Sequence, residues 1–267
     1  SAFDWVVKSP RAGEFAKNPL IVSEYYTPTG RPAKGVTPLP AGPGPGELLG
    51  EKIVGKDPLK MSVVFEGGGG KGFAYVDMLR QLDETLAKGP GEIQVDEYVG
   101  NSAGAITAGL LAAGYKGDEL AKVLKELDFT SFYSDYLWLA GGVDPKARGI
   151  DRTGLFSTQK MYQTISELLQ AKCGVEGRPV LFRDLPFKLR VTSTMINGDI
   201  SPELRESLKL APDGQVVFSD ETSPNMDVAA AICSSAAIPG FFNSPQLQVC
   251  SGAENGKAKL SRMPSSD

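Results

Sequence analysis

Met61-Ser62-Val63-Val64-Phe65-Glu66-Gly67-Gly68-Gly69-Gly70-Lys71-Gly72 is the stretch that decides the fold. Met61 to Phe65 is a short apolar, β-branched run closed by glycines, which predicts a buried strand. Beyond the glycines, Tyr75, Met78, Leu79, Leu82 and Leu86 recur at three- and four-residue steps. That spacing predicts an amphipathic helix ending before Gly89-Pro90-Gly91. Working outward, Tyr98-Val99 reads as a second short strand and Ala103 to Gly114 as a helix of small residues. Helices follow around Leu120 to Leu127 and Met161 to Leu169, strands at Leu189 to Ile196 and Val216 to Phe218, and a helix at Met226 to Ala236. Strands alternating with helices imply a layered α/β domain.

The glycine run does a backbone job, because without Cβ atoms consecutive N–H groups can turn toward one point at a helix N-terminus. A phosphate-binding P-loop is excluded: position 65 is Phe and Lys71 is followed by Gly72 rather than Ser or Thr. Gly67, Gly69 and Gly72 do satisfy G-x-G-x-x-G, so an NAD(P)-binding oxidoreductase stays open as an alternative. Its acidic partner should close the second strand, whereas Asp96 and Glu97 precede Tyr98-Val99. The remaining reading is an oxyanion hole, in which the same N–H groups stabilise negative charge on a carbonyl oxygen.

Gly100-Asn101-Ser102-Ala103-Gly104 separates these readings. It is G-x-S-x-G between a strand and a helix, the setting of a nucleophile elbow with Ser102 at its tip. Gly100 and Gly104 flank the serine because a tight turn crowds Cβ atoms against neighbouring backbone; Asn101 and Ala103 complete the elbow. An ordinary helix N-cap serine is the plainer alternative.

Composition then narrows the chemistry. The 267 residues contain no histidine, which excludes a Ser-His-Asp triad, a Cys-His dyad and a His-ligated zinc. A carboxylate base is what remains for the serine, although its unperturbed pKa of about 3.9 must be raised by burial to be effective. Lys+Arg of 28 against Asp+Glu of 32 leaves a net charge of −4, against the basic stripe of a nucleic-acid protein. Cys173, Cys233 and Cys250 form no C-x-x-C pair and read as small buried hydrophobes. No metal is expected. No apolar run is long enough to cross a bilayer as a helix.

Together, the glycine loop Gly67, Gly68, Gly69, Gly70, Lys71 and Gly72 and the elbow Gly100 to Gly104 resemble the patatin-like phospholipase family. Arg152-Thr153-Gly154-Leu155-Phe156, Phe182-Arg183-Asp184-Leu185-Pro186, Thr222 to Ala229 and Ser234-Ser235-Ala236-Ala237-Ile238-Pro239-Gly240-Phe241-Phe242 are similar to that family as well. The resemblance implies a layered α/β/α fold with a central, mostly parallel sheet. It implies a calcium-independent lipid acyl hydrolase of phospholipase A or lysophospholipase type, working through a Ser-Asp dyad. Gly68 to Gly70 would supply oxyanion donors, and Lys71 would orient the loop or meet an anionic headgroup. Lys71 and the N-terminal arm most resemble the ExoU-like, bacterial type III effector branch. That branch implies secretion into a host cell, a ubiquitin activator, a secretion chaperone and a membrane or phospholipid surface as partners.

One departure stands out. The family's catalytic aspartate lies in Asp-Gly-Gly or Asp-Gly-Ala shortly after the Ile-Pro-x-x-Phe segment. After Phe242 this chain reads Asn243-Ser244-Pro245-Gln246-Leu247-Gln248-Val249-Cys250, with no Asp-Gly. Asp213-Gly214 comes too early and reads as a surface turn. The expectation is that the Asp-Gly segment belongs to residues of the full protein not among these 267. The alternative is a catalytically dead lipid-binding or scaffold protein. Three regions follow: a Pro/Gly-rich arm over 1–58, the patatin-like domain over 59–245 and a polar tail over 246–267. Phe132, Tyr133, Tyr136, Trp138 and Leu139 form an aromatic cluster readable as core or as the cap of an acyl groove.

Overall fold

The computed structural model describes residues 3–9, 11–28, 59–68, 75–88, 93–127, 132, 154–195, 200–238, 240–242, 245 and 247–263. In chain order these form α1 (Asp4–Val7), β1 (Leu20–Ser23), β2 (Leu59–Phe65), α2 (Tyr75–Lys88), β3 (Ile93–Asn101), α3 (Ala103–Ala112) and α4 (Gly117–Glu126). There follow β4 (Gly154–Phe156), α5 (Gln159–Cys173), β5 (Lys188–Thr194), α6 (Pro202–Ser207), β6 (Gln215–Phe218) and α7 (Val228–Ala236). The chain continues through β7 (Gly240–Phe242), β8 (Leu247–Glu254) and β9 (Lys257–Arg262).

The central sheet runs β2-β3-β5-β6, with β2, β3 and β5 parallel and β6 antiparallel at its edge. This is the α/β fold with a mostly parallel sheet that the sequence implies. Register assigns the faces. Met61 pairs with Val95, Val63 with Tyr98 and Phe65 with Gly100, while Tyr98 and Gly100 pair onward with Leu189 and Val191. Val95 and Tyr98 are an odd number of residues apart and would point to opposite faces of a regular strand. A register shift between Met61 and Ser62 leaves Asp96 unpaired and turns both inward. That bulge hides the strand's period, which is why only Tyr98-Val99 was legible from the sequence.

The inward face carries the helices: α3 lies over β2, β3 and β5, and α7 packs on α3 and β5. α3 is apolar on all sides, with Gly104 to Ala112 buried, as suits a helix enclosed between a sheet and other helices. The opposite sheet face mixes exposed Val64 with polar side chains. Ser62 donates to Glu97 at 2.9 Å and Arg190 pairs with Glu97 at 2.6 Å.

The two flanks need correction. The stretch expected as a polar tail forms β8 and β9, a hairpin whose turn residues Asn255 and Gly256 have φ of 52° and 72°. Asn-Gly at positive φ is the two-residue turn that joins antiparallel strands, and this signal was available in the sequence. β1, from the expected arm, pairs antiparallel with β8 from Leu20↔Cys250 to Ser23↔Leu247. Val6, Phe15, Leu20, Val22, Leu181 and Cys250 pack as a second small core beneath this sheet. Ile21 also bonds the main body, donating to the Asn225 carbonyl and accepting from Asp227 N–H at 2.8 Å. Phe132 is buried in the main core, and the other members of the aromatic cluster lie outside the described residues.

Candidate active site

β3 ends at Asn101 and α3 begins at Ala103, so Ser102 occupies the junction alone. Its backbone sits at φ 53°, ψ −126°, a region that L-residues avoid because Cβ meets the adjoining carbonyl. Such a conformation costs on the order of 1–3 kcal/mol and persists only where the surroundings over-determine it. The surroundings here are backbone. A Cβ on Gly100 would lie 2.5 Å from Ala105 Cα, and one on Gly104 would lie 2.3 Å from the Phe65 carbonyl oxygen. Neither position admits a side chain.

The first part of the glycine loop passes directly beside the serine. A Cβ on Gly67 would come within 2.9 Å of Ser102 Cβ and 3.6 Å of its Oγ. Tyr75, at the start of α2, steadies this approach: its hydroxyl donates to the Glu66 carbonyl at 3.2 Å and its ring stands edge-on to Phe65. Gly68 is exposed next to it, whereas Gly69, Gly70, Lys71 and Gly72 lie outside the described residues. At the start of α3, Ala105 N–H turns back to the Ser102 carbonyl at 2.9 Å, and the aligned peptide groups give this end of the helix a partial positive charge.

α7 supplies a contact that sequence reasoning missed. Ser102 N–H donates to Ser235 Oγ at 2.8 Å, across a separation of 133 residues. α7 comes this close because Gly109 on α3 has no side chain; a Cβ there would meet Ile232 Cδ1 at 2.4 Å. At its other end, Asp227 is fully buried and N-caps α7, accepting from Ala230 N–H. It also accepts from the Tyr162 hydroxyl at 2.6 Å and from Ser23 N–H at 3.4 Å. Burial pushes this carboxyl up to about 6, against the pull of those hydrogen bonds.

Asp227 does not reach the serine. Ser235 lies eight positions further along α7, a rise of about 12 Å at 1.5 Å per residue. Among the described residues no carboxylate is hydrogen-bonded to Ser102. Asp213 builds a turn, as expected: its Oδ1 accepts from Gln215 N–H at 3.1 Å and Gly214 has φ 84°. Asn243, Ser244 and Gln246, where the family's aspartate would follow, are outside the described residues. The cysteines are free thiols; burial pushes Cys173 up to about 12, which leaves it inert at neutral pH.

The profile of the family described as "Patatin-like phospholipase" matches residues 63–257, more than half of the chain. The chain belongs to the patatin-like phospholipase family. Its patatin-like region starts inside β2 and ends at the first residue of β9, so α1 and β1 precede it. Among curated proteins, it is 30% identical over 193 residues to the uncharacterized protein YqhO of Bacillus subtilis (strain 168), covering 71% of this chain and 59% of YqhO. It is 25% identical over 192 residues to the uncharacterized protein R571 of Acanthamoeba polyphaga mimivirus, covering 70% of this chain and 54% of R571. The chain thus spans little more than half the length of these relatives. A solved structure of ExoU with SpcU, from the type III secretion system of Pseudomonas aeruginosa, is similar at TM-score 0.44 and 21% identity, over 68% of this chain and 37% of that one. No helix among the described residues is long and apolar enough to cross a membrane.

Proposed function

We propose that this patatin-like domain is a lipid acyl hydrolase of phospholipase A or lysophospholipase type, acting through an acyl-enzyme on Ser102. The observation that supports it is the elbow itself: a non-glycine residue held at φ 53° with Gly67 of the glycine loop against it. In this reading Ser102 Oγ attacks the ester carbonyl carbon and the loop N–H groups receive the charge that develops on its oxygen. An aspartate takes the Oγ proton and returns it to the departing alcohol. Water then gives a proton to the same carboxylate as it attacks the acyl-serine, and the carboxyl passes that proton to Ser102 Oγ as the fatty acid leaves. The loop donors are Gly68 to Gly70, with Lys71 orienting the loop or meeting an anionic headgroup.

The base is proposed to lie in an Asp-Gly-[Gly/Ala] segment after Phe242 in the full-length protein. Intact-mass measurement on protein from its native source checks this, with a mass above 28.4 kDa expected. A mass of 28.4 kDa together with no ester hydrolysis favours the non-catalytic lipid-binding reading instead. Hydrolysis is expected to proceed unchanged in chelator. A phospholipid surface is the proposed partner. Host delivery, a secretion chaperone and activation by ubiquitin are part of the same proposal, tested by adding ubiquitin to a vesicle hydrolysis assay. The decisive experiment for the nucleophile is labelling with a fluorophosphonate: Ser102 should carry the adduct and Ser102→Ala should carry none. An adduct on another serine overturns the assignment.

A further inference from the structure

We infer that Ser235 is a positioning residue for the nucleophile, and that its hydroxyl, rather than the elbow alone, holds Ser102 in its reactive backbone conformation. The inference rests on the acyl-enzyme reading above and adds a residue to it. The last ladder pair of β3 with β5 is Asn101↔Thr192, and the turn into α3 engages the Ser102 carbonyl, which accepts from Ala105 N–H at 2.9 Å, and not its N–H. The Ser102 N–H therefore falls between two ladders and belongs to neither. Left without an acceptor in a half-buried position, it would carry part of the cost of desolvation. Ser235 Oγ takes it at 2.8 Å.

The bond matters because of what it opposes. Ser102 gains by relaxing to negative φ, and rotation about its N–Cα bond would carry Oγ away from Gly67. The close approaches of Gly100 and Gly104 restrict the turn, yet they act on the residues either side of the serine. The Ser235 bond acts on the serine's own peptide group. Its geometry is set by α7, which is held at one end by the Asp227 cap and along its length by Ile232 seated over Gly109. The neighbouring Ser234 does something ordinary by contrast: its hydroxyl donates back to the Ala230 carbonyl at 2.8 Å within the helix. Two adjacent serines thus have separate jobs, and only the second touches the elbow.

The test uses Ser235→Ala, Ser235→Thr and Ser234→Ala in the full chain, read by the second-order rate of fluorophosphonate labelling and by hydrogen exchange of the Ser102 amide. Ser235→Ala should label at least tenfold more slowly and exchange the Ser102 amide about tenfold faster, the size of one lost hydrogen bond. Ester turnover should fall through kcat with KM little changed, since the substrate-binding surface is untouched. Ser235→Thr keeps the hydroxyl and should recover labelling to within a few-fold. Ser234→Ala should match wild type in both readouts. Labelling and amide exchange in Ser235→Ala within twofold of wild type would overturn the inference. Wild-type protein that takes no label counts against the acyl-enzyme reading instead, and the amide exchange still decides whether Ser235 holds Ser102.

Discussion

The two ends of α7 make contact by different physics. At its C-terminal end, Ser235 meets a turn assembled from glycines and main chain, where the fit is set by atoms that cannot move aside. At its N-terminal end, Asp227 sits in a buried polar pocket of Tyr162, Ser23 and Ala230, where the fit is set by hydrogen bonds and protonation. The first end is governed by shape and by one hydrogen bond between neutral groups, and is indifferent to pH. The second is governed by charge and is not. A single helix therefore joins a sterically fixed Ser102 to a titratable anchor that also ties in the N-terminal strand.

The largest effect should come from breaking the first end chemically. Ser102→Ala should lower ester hydrolysis by several orders of magnitude while the protein remains folded, measured by turnover alongside a thermal melt. Breaking the same end sterically should cost stability. Gly104→Ala places a methyl group against the Phe65 and Glu66 carbonyl oxygens, neither of which can rotate away. Urea unfolding should show a loss of about 3 kcal/mol or more, with fluorophosphonate labelling lost in parallel.

The charged end is sharpened by pH. The folded-state pKa of Asp227 is raised from 3.8 to about 6, so the folded protein binds this proton more tightly than the unfolded chain does. Its contribution to stability is then full below pH ~4 and is lost as pH rises through about 6. Tyr162 and Cys233, which face it, are pushed well above their ordinary values and do not titrate in that window. Asp227→Asn keeps a capping side chain and should flatten the fall in unfolding free energy between pH 4 and 6 relative to wild type. A wild-type protein with no such fall would show that the two ends do not differ in this way. The smallest effect is a gain. Ser102→Gly removes the Cβ from a residue at φ 53° and should raise stability by about 1 kcal/mol, seen as a higher Tm in an inactive protein.

Legibility followed range along the chain. The succession of strand, glycine loop, helix, strand, G-x-S-x-G and helix was readable between Met61 and Gly114 because periodicity and glycine spacing are local. The sheet of β1, β8 and β9 was not readable as a unit. β1 has four residues, and its pairing of Leu20 with Cys250 joins stretches that share no pattern. The hairpin turn at Asn255-Gly256 did carry a signal, masked by the polar residues around it.

By itself, the sequence determined the class of fold, the candidate nucleophile and the lack of any histidine partner among these 267 residues. Each follows from local sterics or from composition: glycines where backbone must approach backbone, and no imidazole in this stretch. The tertiary structure alone decided that Ser235 reaches the Ser102 amide, that Asp227 is buried at the opposite end of the same helix, and that the N-terminal strand bonds this end of it. These depend on which helix face the core captures and how closely α7 nests on α3, a sum of packing contacts across the whole chain that no single motif encodes.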